Sequence, residues 1–85
     1  MKVFILPANH LGWGDCDGYQ VLIAAPSSLA ARLAGRKYGF KFYRPYTGLP
    51  PDAEDIELAL AHPGELYWRP NDGTDFPWLP ARDRD

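Results

Sequence analysis

Apolar and polar residues alternate with different periods along the chain, and each period predicts an element. Residues 19–25, YQVLIAA, place apolar side chains on both sides of an extended chain, which is typical of a strand covered on both faces. We therefore expect this strand to be central. Further strands are predicted over 2–6, ending at Pro7, over 40–44 and over 65–69.

Two segments carry the signals that begin and end helices. Ser27 or Ser28 can cap the first helix, and Gly39 offers a left-handed residue to end it. Asp52 can cap the second helix, about ten residues long, which ends near His62. The helical wheels predict two buried stripes, formed by Leu29, Ala30, Leu33, Ala34 and Tyr38 in the first helix and by Ala53, Ile56 and Leu60 in the second.

The order strand, strand, helix, strand, helix, strand predicts an α+β fold. A chain of 85 residues builds a single core, so we expect one domain over 1–85. The natural packing is a four-stranded mixed or antiparallel sheet with both helices on one face. The tail, 71–85, contains two prolines and is expected to stay irregular. Its aromatic residues either cover the open face of the sheet or present an anchor to a partner.

The composition favours a soluble cytoplasmic protein. The chain is 46% hydrophobic, which is enough to fold without disulfides, and Cys16 is its only cysteine. A single cysteine fits a reducing compartment. Only four apolar residues separate Lys2 from Pro7, too few for a signal peptide or a membrane span. We expect neither processing nor a membrane.

Charge is distributed unevenly along the chain, although the net charge is only -2. Five of the nine basic residues lie between Arg32 and Arg44, and no acid lies among them. Acids gather in three other places, at Asp15 and Asp17, at 52–57 and in the tail. This separation predicts two surfaces of opposite sign.

The loop at 9–20, NHLGWGDCDGYQ, raises the question of a metal or catalytic site. A calcium loop with Gly18 at its sixth position would need oxygen ligands where Trp13 and Ala24 stand. A zinc site would have only Cys16, His10 and His62 before carboxylates are recruited, and a thiol nucleophile at Cys16 would need His10 or His62 as its base. We expect the neighbouring Asp15 and Asp17 to raise the pKa of the Cys16 thiol, which argues against a thiolate. We expect a structural loop, with no metal and no cofactor.

No motif of an enzyme is present. The chain contains no GxSxG, P-loop or GxGxxG sequence, and its two serines serve a helix start better than catalysis. The acids Glu54, Asp55 and Glu57 fit the positive first turn of a helix. We expect no enzymatic activity, with a small enzyme or a metal-binding domain as the remote alternative.

The segment 36–45, RKYGFKFYRP, favours nucleic-acid binding as the main alternative function. Interleaved basic and aromatic residues are typical of single-strand binders, and Gly39, Phe40 and Phe42 resemble part of an RNA-recognition motif. Lys41 departs from that motif, and the acidic composition weakens attraction to phosphates. The candidate nucleic-acid residues are Arg36, Lys37, Lys41, Tyr43 and Arg44.

Protein binding explains more of these features. Leu58 is predicted to project beside Glu54 and His62, away from the buried stripe, as an apolar anchor among polar residues. Tyrosine and arginine on the outer faces of two strands are of the types enriched at interfaces. The candidate partner-binding residues are Glu54, Asp55, Glu57 and Leu58 in one patch and Tyr43, Tyr67 and Arg69 in another.

The bare start MKVFIL, the unit YQVLIAAPSSLAARLAGRKYG and the acidic run PPDAEDIE give the chain a resemblance in size and architecture. It resembles the small accessory proteins of bacteriophages and mobile elements, including anti-CRISPR inhibitors, without sharing a family motif. The resemblance implies an inhibitor that occludes a host defence complex, with carboxylates that imitate phosphates. We expect a non-enzymatic module whose partner is a protein.

Overall fold

The computed structural model describes residues 1–10, 12, 18–42, 50–70 and 77–84. Within these residues the chain forms five strands, two α-helices and a short 3-10 helix. In chain order they are β1 (Lys2–His10), β2 (Tyr19–Ala25), α1 (Ser28–Lys37), β3 (Phe40–Phe42), α2 (Ala53–Ala61), β4 (Tyr67–Pro70), β5 (Leu79–Pro80) and the 3-10 helix (Ala81–Arg84). The strands form one sheet in the order β3-β1-β2-β4-β5, and each described ladder is antiparallel. The predicted α+β class is confirmed, and the described strands number five instead of four.

The centre of the sheet is β2, as its sequence predicts. All seven of its residues are buried, and it pairs with β1 on one side and β4 on the other. Because side chains alternate along a strand, β2 sends apolar groups into both faces of the sheet. Each face therefore needs a cover.

One helix covers each face, so the prediction of both helices on one face is wrong. The α1-side core joins the odd-numbered residues of β2 to α1, and the α2-side core joins its even-numbered residues to α2. The physical reason lies in β2, because a strand that is apolar on both sides cannot leave either side to solvent. The buried members of the α1-side core are Leu6, Ala8, Tyr19, Val21, Ile23, Ala25, Ala31, Phe40, Phe42, Leu66, Trp68 and Ala81, and those of the α2-side core are Ile5, Leu22, Ala24, Ala59 and Tyr67.

Pro7 lies inside β1 and does not end it, so the predicted boundary at residue 6 is wrong. Proline has no backbone N–H to donate. A strand tolerates this loss at a position where no neighbouring strand needs that hydrogen bond. Pro7 pairs with Gln20 of β2, and the described pairs with β3 begin one residue later, at Ala8. The strand thus continues to His10 and takes in the start of the expected loop.

The two ends of α1 follow the prediction, but its rotation about its own axis follows it only in part. The Ser27 hydroxyl accepts a hydrogen bond from the Ala30 amide at 3.2 Å, and Gly39 follows the helix with φ +91°. The residues that face the sheet are small, Ala31 and Gly35. Of the predicted stripe, Ala30, Ala34 and Tyr38 are half-buried against the α1-side core, whereas Leu29 and Leu33 lie on the exposed side.

The rotation of α2 differs from its prediction in the same way. Asp52 caps the helix, and Asp55 completes a reciprocal capping box with it. Asp55 and Ala59 are the buried residues, whereas Ala53, Ile56 and Leu60 are exposed. Apolar residues surround most of this helix, so the wheel alone does not determine its inner face.

The C-terminal segment contains regular structure that the sequence analysis did not predict. Leu79 and Pro80 pair with Trp68 and Tyr67 as β5, and the Ala81 amide donates to the Leu66 carbonyl at 3.0 Å. Proline fits here because β5 is an edge strand of the described sheet. The prediction of an irregular tail is therefore wrong over 79–84, while 71–76 lie outside the described residues.

Candidate interaction surfaces

The outer side of α1 carries two exposed leucines. Leu29 is 56% exposed and Leu33 is 55% exposed, and residues four apart are neighbours on a helix. Their position follows from the inner side, where Gly35 lies so close to the Phe42 ring that a Cβ at residue 35 would overlap it. The smallest residues therefore contact the sheet, and the larger leucines face outward.

Cations surround these leucines. Arg36 and Lys37 are exposed in the last turn of α1, where the negative end of the helix dipole favours them. Arg32 is half-buried, and its Nε donates to the Ser28 carbonyl at 3.3 Å. No acidic residue occurs in α1. We call this apolar and basic face the α1 surface; it consists of Leu29, Arg32, Leu33, Arg36 and Lys37.

The outer side of α2 combines the same apolar spacing with the opposite charge. Ile56 is 38% exposed and Leu60 is 45% exposed, again four residues apart. Glu54 and Glu57 are exposed on the same helix, which contains no basic residue. We call this face the α2 surface; it consists of Glu54, Ile56, Glu57 and Leu60.

The two surfaces point away from each other. The helices pack against opposite faces of the sheet, so their outer sides lie on opposite sides of the protein. Each surface combines two aliphatic anchors with charges of a single sign. Apolar groups within a charged border are the usual composition of a protein contact, because burial supplies affinity and charge supplies orientation.

The first predicted partner-binding patch is divided between the surface and the interior. Glu54 and Glu57 are exposed, as the prediction requires. Asp55 is buried, and Leu58 is half-buried against the α2-side core. The predicted outward projection of Leu58 is wrong, because α2 turns its 55, 58 and 59 positions toward the sheet. Ile56 and Leu60 take the outward positions instead.

The second predicted patch lies largely inside the protein. Tyr67 is buried in the α2-side core. Arg69 is half-buried; its Nε donates to Gln20 Oε1 at 2.7 Å, and its guanidinium lies 4.1 Å from the centroid of the Trp78 ring. Tyr43 lies outside the described residues.

A polar network under α2 explains why Asp55 is held inside the protein. Trp78 Nε1 donates to Asp55 Oδ1 at 2.7 Å, while Asp55 Oδ2 accepts from the Asp52 amide at 3.2 Å. Asp55 thus completes the capping box and anchors the C-terminal segment at once. The capping spacing of Asp52 and Asp55 is visible in the sequence. No sequence signal links residue 55 to residue 78, so the second role could not be predicted.

The Tyr67 hydroxyl lies in an environment that favours its neutral form. Loss of hydration on burial raises the pKa of Tyr67, and the carboxylate of Glu65 raises this pKa further. The guanidinium of Arg82 opposes them in part. Arg82 also pairs with Glu65, at 2.8 Å. Tyr67 is therefore a neutral core residue at ordinary pH.

The candidate nucleic-acid residues do not share one face. Phe40 and Phe42 point into the α1-side core, so the exposed Lys41 between them points to the other side of the sheet. Arg36 and Lys37 lie on α1, across the sheet from that side. The remaining two candidates, Tyr43 and Arg44, lie outside the described residues.

His10 serves a structural connection in the described chain. The Gly12 amide donates to its Nδ1 at 3.0 Å, so Nε2 carries the proton and donates to the Tyr38 carbonyl at 2.6 Å. The His10 ring also packs edge-on against Phe40, with centroids 4.9 Å apart. The other residue considered for metal or thiol chemistry, Cys16, lies outside the described residues. Among the residues that are described, no three His, Cys, Asp or Glu side chains converge as metal ligands would.

Comparison of the chain with protein-family models, with curated proteins and with solved structures finds no match. Neither described helix has the length and apolar character needed to cross a membrane.

Proposed function

We propose that this chain is a non-enzymatic protein-binding module that docks its α2 surface onto a basic, partly apolar surface of a protein partner. The observation that carries the proposal is the exposure of Ile56 and Leu60 on a helix that also exposes Glu54 and Glu57. Burying an aliphatic side chain fully contributes about 1.5–3 kcal/mol, and half-exposed anchors retain a large part of that gain. The glutamates add orientation and faster association with a basic partner.

The rigidity of α2 supports this role. The capping box holds its first turn, and the hydrogen bond from Trp78 to Asp55 ties the helix to the C-terminal segment. A surface that is already ordered loses less conformational entropy on binding than a mobile loop does. These contacts fix the backbone that carries the anchors of α2.

Binding would inhibit a partner by occlusion. A basic groove that holds nucleic-acid phosphates would accept the carboxylates of Glu54 and Glu57, with Ile56 and Leu60 against apolar positions of the groove. The resemblance to phage accessory proteins of the anti-CRISPR kind makes a host defence complex the proposed class of partner.

The test uses three variants of the full chain. In the α2-surface variant, Ile56→Gln and Leu60→Gln remove both anchors and keep every charge. In the α1-surface variant, Leu29→Gln and Leu33→Gln do the same on the opposite side. Leu79→Gln is the matched control, because Leu79 is 43% exposed and belongs to neither surface.

Each protein is immobilised, exposed to lysate of the native host, and the captured proteins are identified by mass spectrometry. The expected result is a protein captured by the wild-type, α1-surface and control chains but lost with the α2-surface variant. Its affinity for the purified chain should fall at least about tenfold with that variant, as for a hot-spot contact. Equal capture by all four chains would contradict the proposal.

A further inference from the structure

We propose that the chain associates with itself head to tail, the α1 surface of one copy docking on the α2 surface of a second copy. The inference concerns another occupant of the α2 surface and stands independently of the partner proposed above. It rests on three properties of the two surfaces. They have the same apolar spacing, they carry charges of opposite sign, and they lie on opposite sides of the protein.

The apolar match is one of geometry. Each surface presents two aliphatic side chains four residues apart, so the two helices carry ridges of the same length and spacing. In an antiparallel or steeply crossed pair, Leu29 and Leu33 of one copy can pack between Ile56 and Leu60 of the next. Contact removes four half-exposed aliphatic side chains from water.

The charge match selects the pairing. Two α1 surfaces would bring arginines and lysines together, and two α2 surfaces would bring glutamates together. The mixed pair places Arg36 and Lys37 of one copy near Glu54 and Glu57 of the next. Like charges in contact are costly, so charge favours a contact between unlike surfaces over a symmetric dimer.

The position of the surfaces sets the form of the assembly. Since α1 and α2 cover opposite faces of the sheet, a copy bound at either surface leaves the other surface open. Such a contact between unlike surfaces extends into chains or rings. One pair of short helices buries less than the roughly 1,000 Å² of a stable interface, so the association is weak and reversible.

This association would also regulate binding. A copy whose α2 surface holds the α1 surface of its neighbour cannot present that surface to another partner. A partner with higher affinity would release single copies by mass action.

The first measurement is the average mass of the wild-type chain by analytical ultracentrifugation, from about 10 μM to about 1 mM, the range expected for so small an interface. The expected mass rises with concentration and falls back at high salt, because screening weakens the exposed charge pairs. The α1-surface variant and the α2-surface variant should each stay monomeric over this range. Leu79→Gln should behave as the wild type.

The decisive measurement mixes the two surface variants. The α1-surface variant keeps an intact α2 surface, and the α2-surface variant keeps an intact α1 surface. Their mixture should therefore form a 1:1 dimer that grows no further, although each variant alone is monomeric. Circular dichroism of both variants checks that they are folded. A monomeric wild type, a monomeric mixture, or a symmetric dimer formed by either variant alone would overturn the inference.

Discussion

At the scale of the residue, the smallest side chains decide which way each helix faces. Ala31 and Gly35 bring α1 close to the sheet, and Ala59 does the same for α2. Four larger residues, Leu29, Leu33, Ile56 and Leu60, lie outside, while Leu58 is half-buried against the α2-side core. Small side chains at the contact thus allow each helix to pack closely against the sheet. The larger anchors are exposed as a consequence of this packing.

Replacing Gly35 with alanine tests this packing. Glycine to alanine inside a helix ordinarily stabilises a protein by about 0.5–1 kcal/mol. Here the added Cβ overlaps the Phe42 ring, so we expect a loss of about 1–3 kcal/mol in the free energy of unfolding, measured by urea denaturation. The double variant Gly35→Ala/Phe42→Leu should lose less free energy of unfolding than the sum of the two single variants, because leucine at residue 42 leaves room for the added Cβ. A stabilised Gly35→Ala chain would contradict the packing.

The raised pKa of Tyr67 predicts a pH dependence of stability. Below the ordinary tyrosine pKa of about 10 the hydroxyl is protonated in both the folded and the unfolded chain. As the pH rises from there through the raised pKa of the folded state, the unfolded chain has already lost the proton that the folded chain retains, so stability falls.

We expect Tyr67→Phe to remove this part of the alkaline loss of stability. The measurement is the free energy of unfolding of both proteins between about pH 8 and pH 11, a range that brackets the ordinary tyrosine pKa. Other groups titrate in the same range, so the difference between the two curves carries the result. Parallel curves would show that Tyr67 titrates alike in both states.

At the scale of the element, the C-terminal segment and α2 hold each other in place. Asp55 receives the Trp78 indole N–H while its carboxylate also completes the helix cap. On the same side of the sheet, the Arg69 guanidinium covers the Trp78 ring. The last strand is only two residues long, so these side-chain contacts contribute much of its attachment.

Asp55→Ala should therefore cost more than the loss of an exposed helix acid. Losing the Asp55 half of the capping box costs up to about 1 kcal/mol, since the Asp52 side chain still accepts from the amide of residue 55, and an unpaired, half-buried indole N–H costs about 1–3 kcal/mol more. The control is Glu57→Ala, two residues away and exposed, which should change stability by no more than about 0.5 kcal/mol. In a Trp78→Phe background the cost of Asp55→Ala should shrink, as thermal unfolding of the four proteins would show. An equal cost in both backgrounds would contradict the contact.

Elements with strong local signals were predictable from the sequence. The continuous apolar run of β2 predicted a central strand, and Ser27, Gly39 and Asp52 marked helix ends correctly. Features that depend on distant contacts were not predictable. The rotation of α1 depends on Phe42, and β5 exists because β4 offers it an edge. Helical wheels assume that large apolar residues face inward, and two residues in each helix break that assumption: Leu29 and Leu33 in α1, and Ile56 and Leu60 in α2.

At the scale of the whole molecule, the sheet separates the basic helix from the acidic helix. Separation of charge was visible in the sequence, which predicted two surfaces of opposite sign. The glutamates of the α2 surface were predicted as candidate residues as well. Their apolar neighbours were assigned to the wrong side of the helix, because the identity of the anchors depends on the packing of α2 against the sheet.

This separation also bears on nucleic-acid binding, the alternative function. A single strand held by phosphates needs several cations along one groove, with rings between them for stacking. The described candidates do not meet this requirement: Arg36 and Lys37 belong to α1, whereas Lys41 points to the side of the sheet that α2 covers. The phenylalanines that flank Lys41 are buried and offer no ring to a base.

We therefore expect only weak binding of a labelled single-stranded DNA or RNA, with a dissociation constant no tighter than about 100 μM near physiological salt, the weak end of non-specific binding. Fluorescence anisotropy over a salt titration measures it. Lys41→Gln should change this weak affinity as little as Lys2→Gln, an exposed lysine outside the candidate set. Binding at micromolar concentration or tighter, with a steep salt dependence that Lys41→Gln reduces, would show that the cations act together and would favour the nucleic-acid function over the protein-binding one.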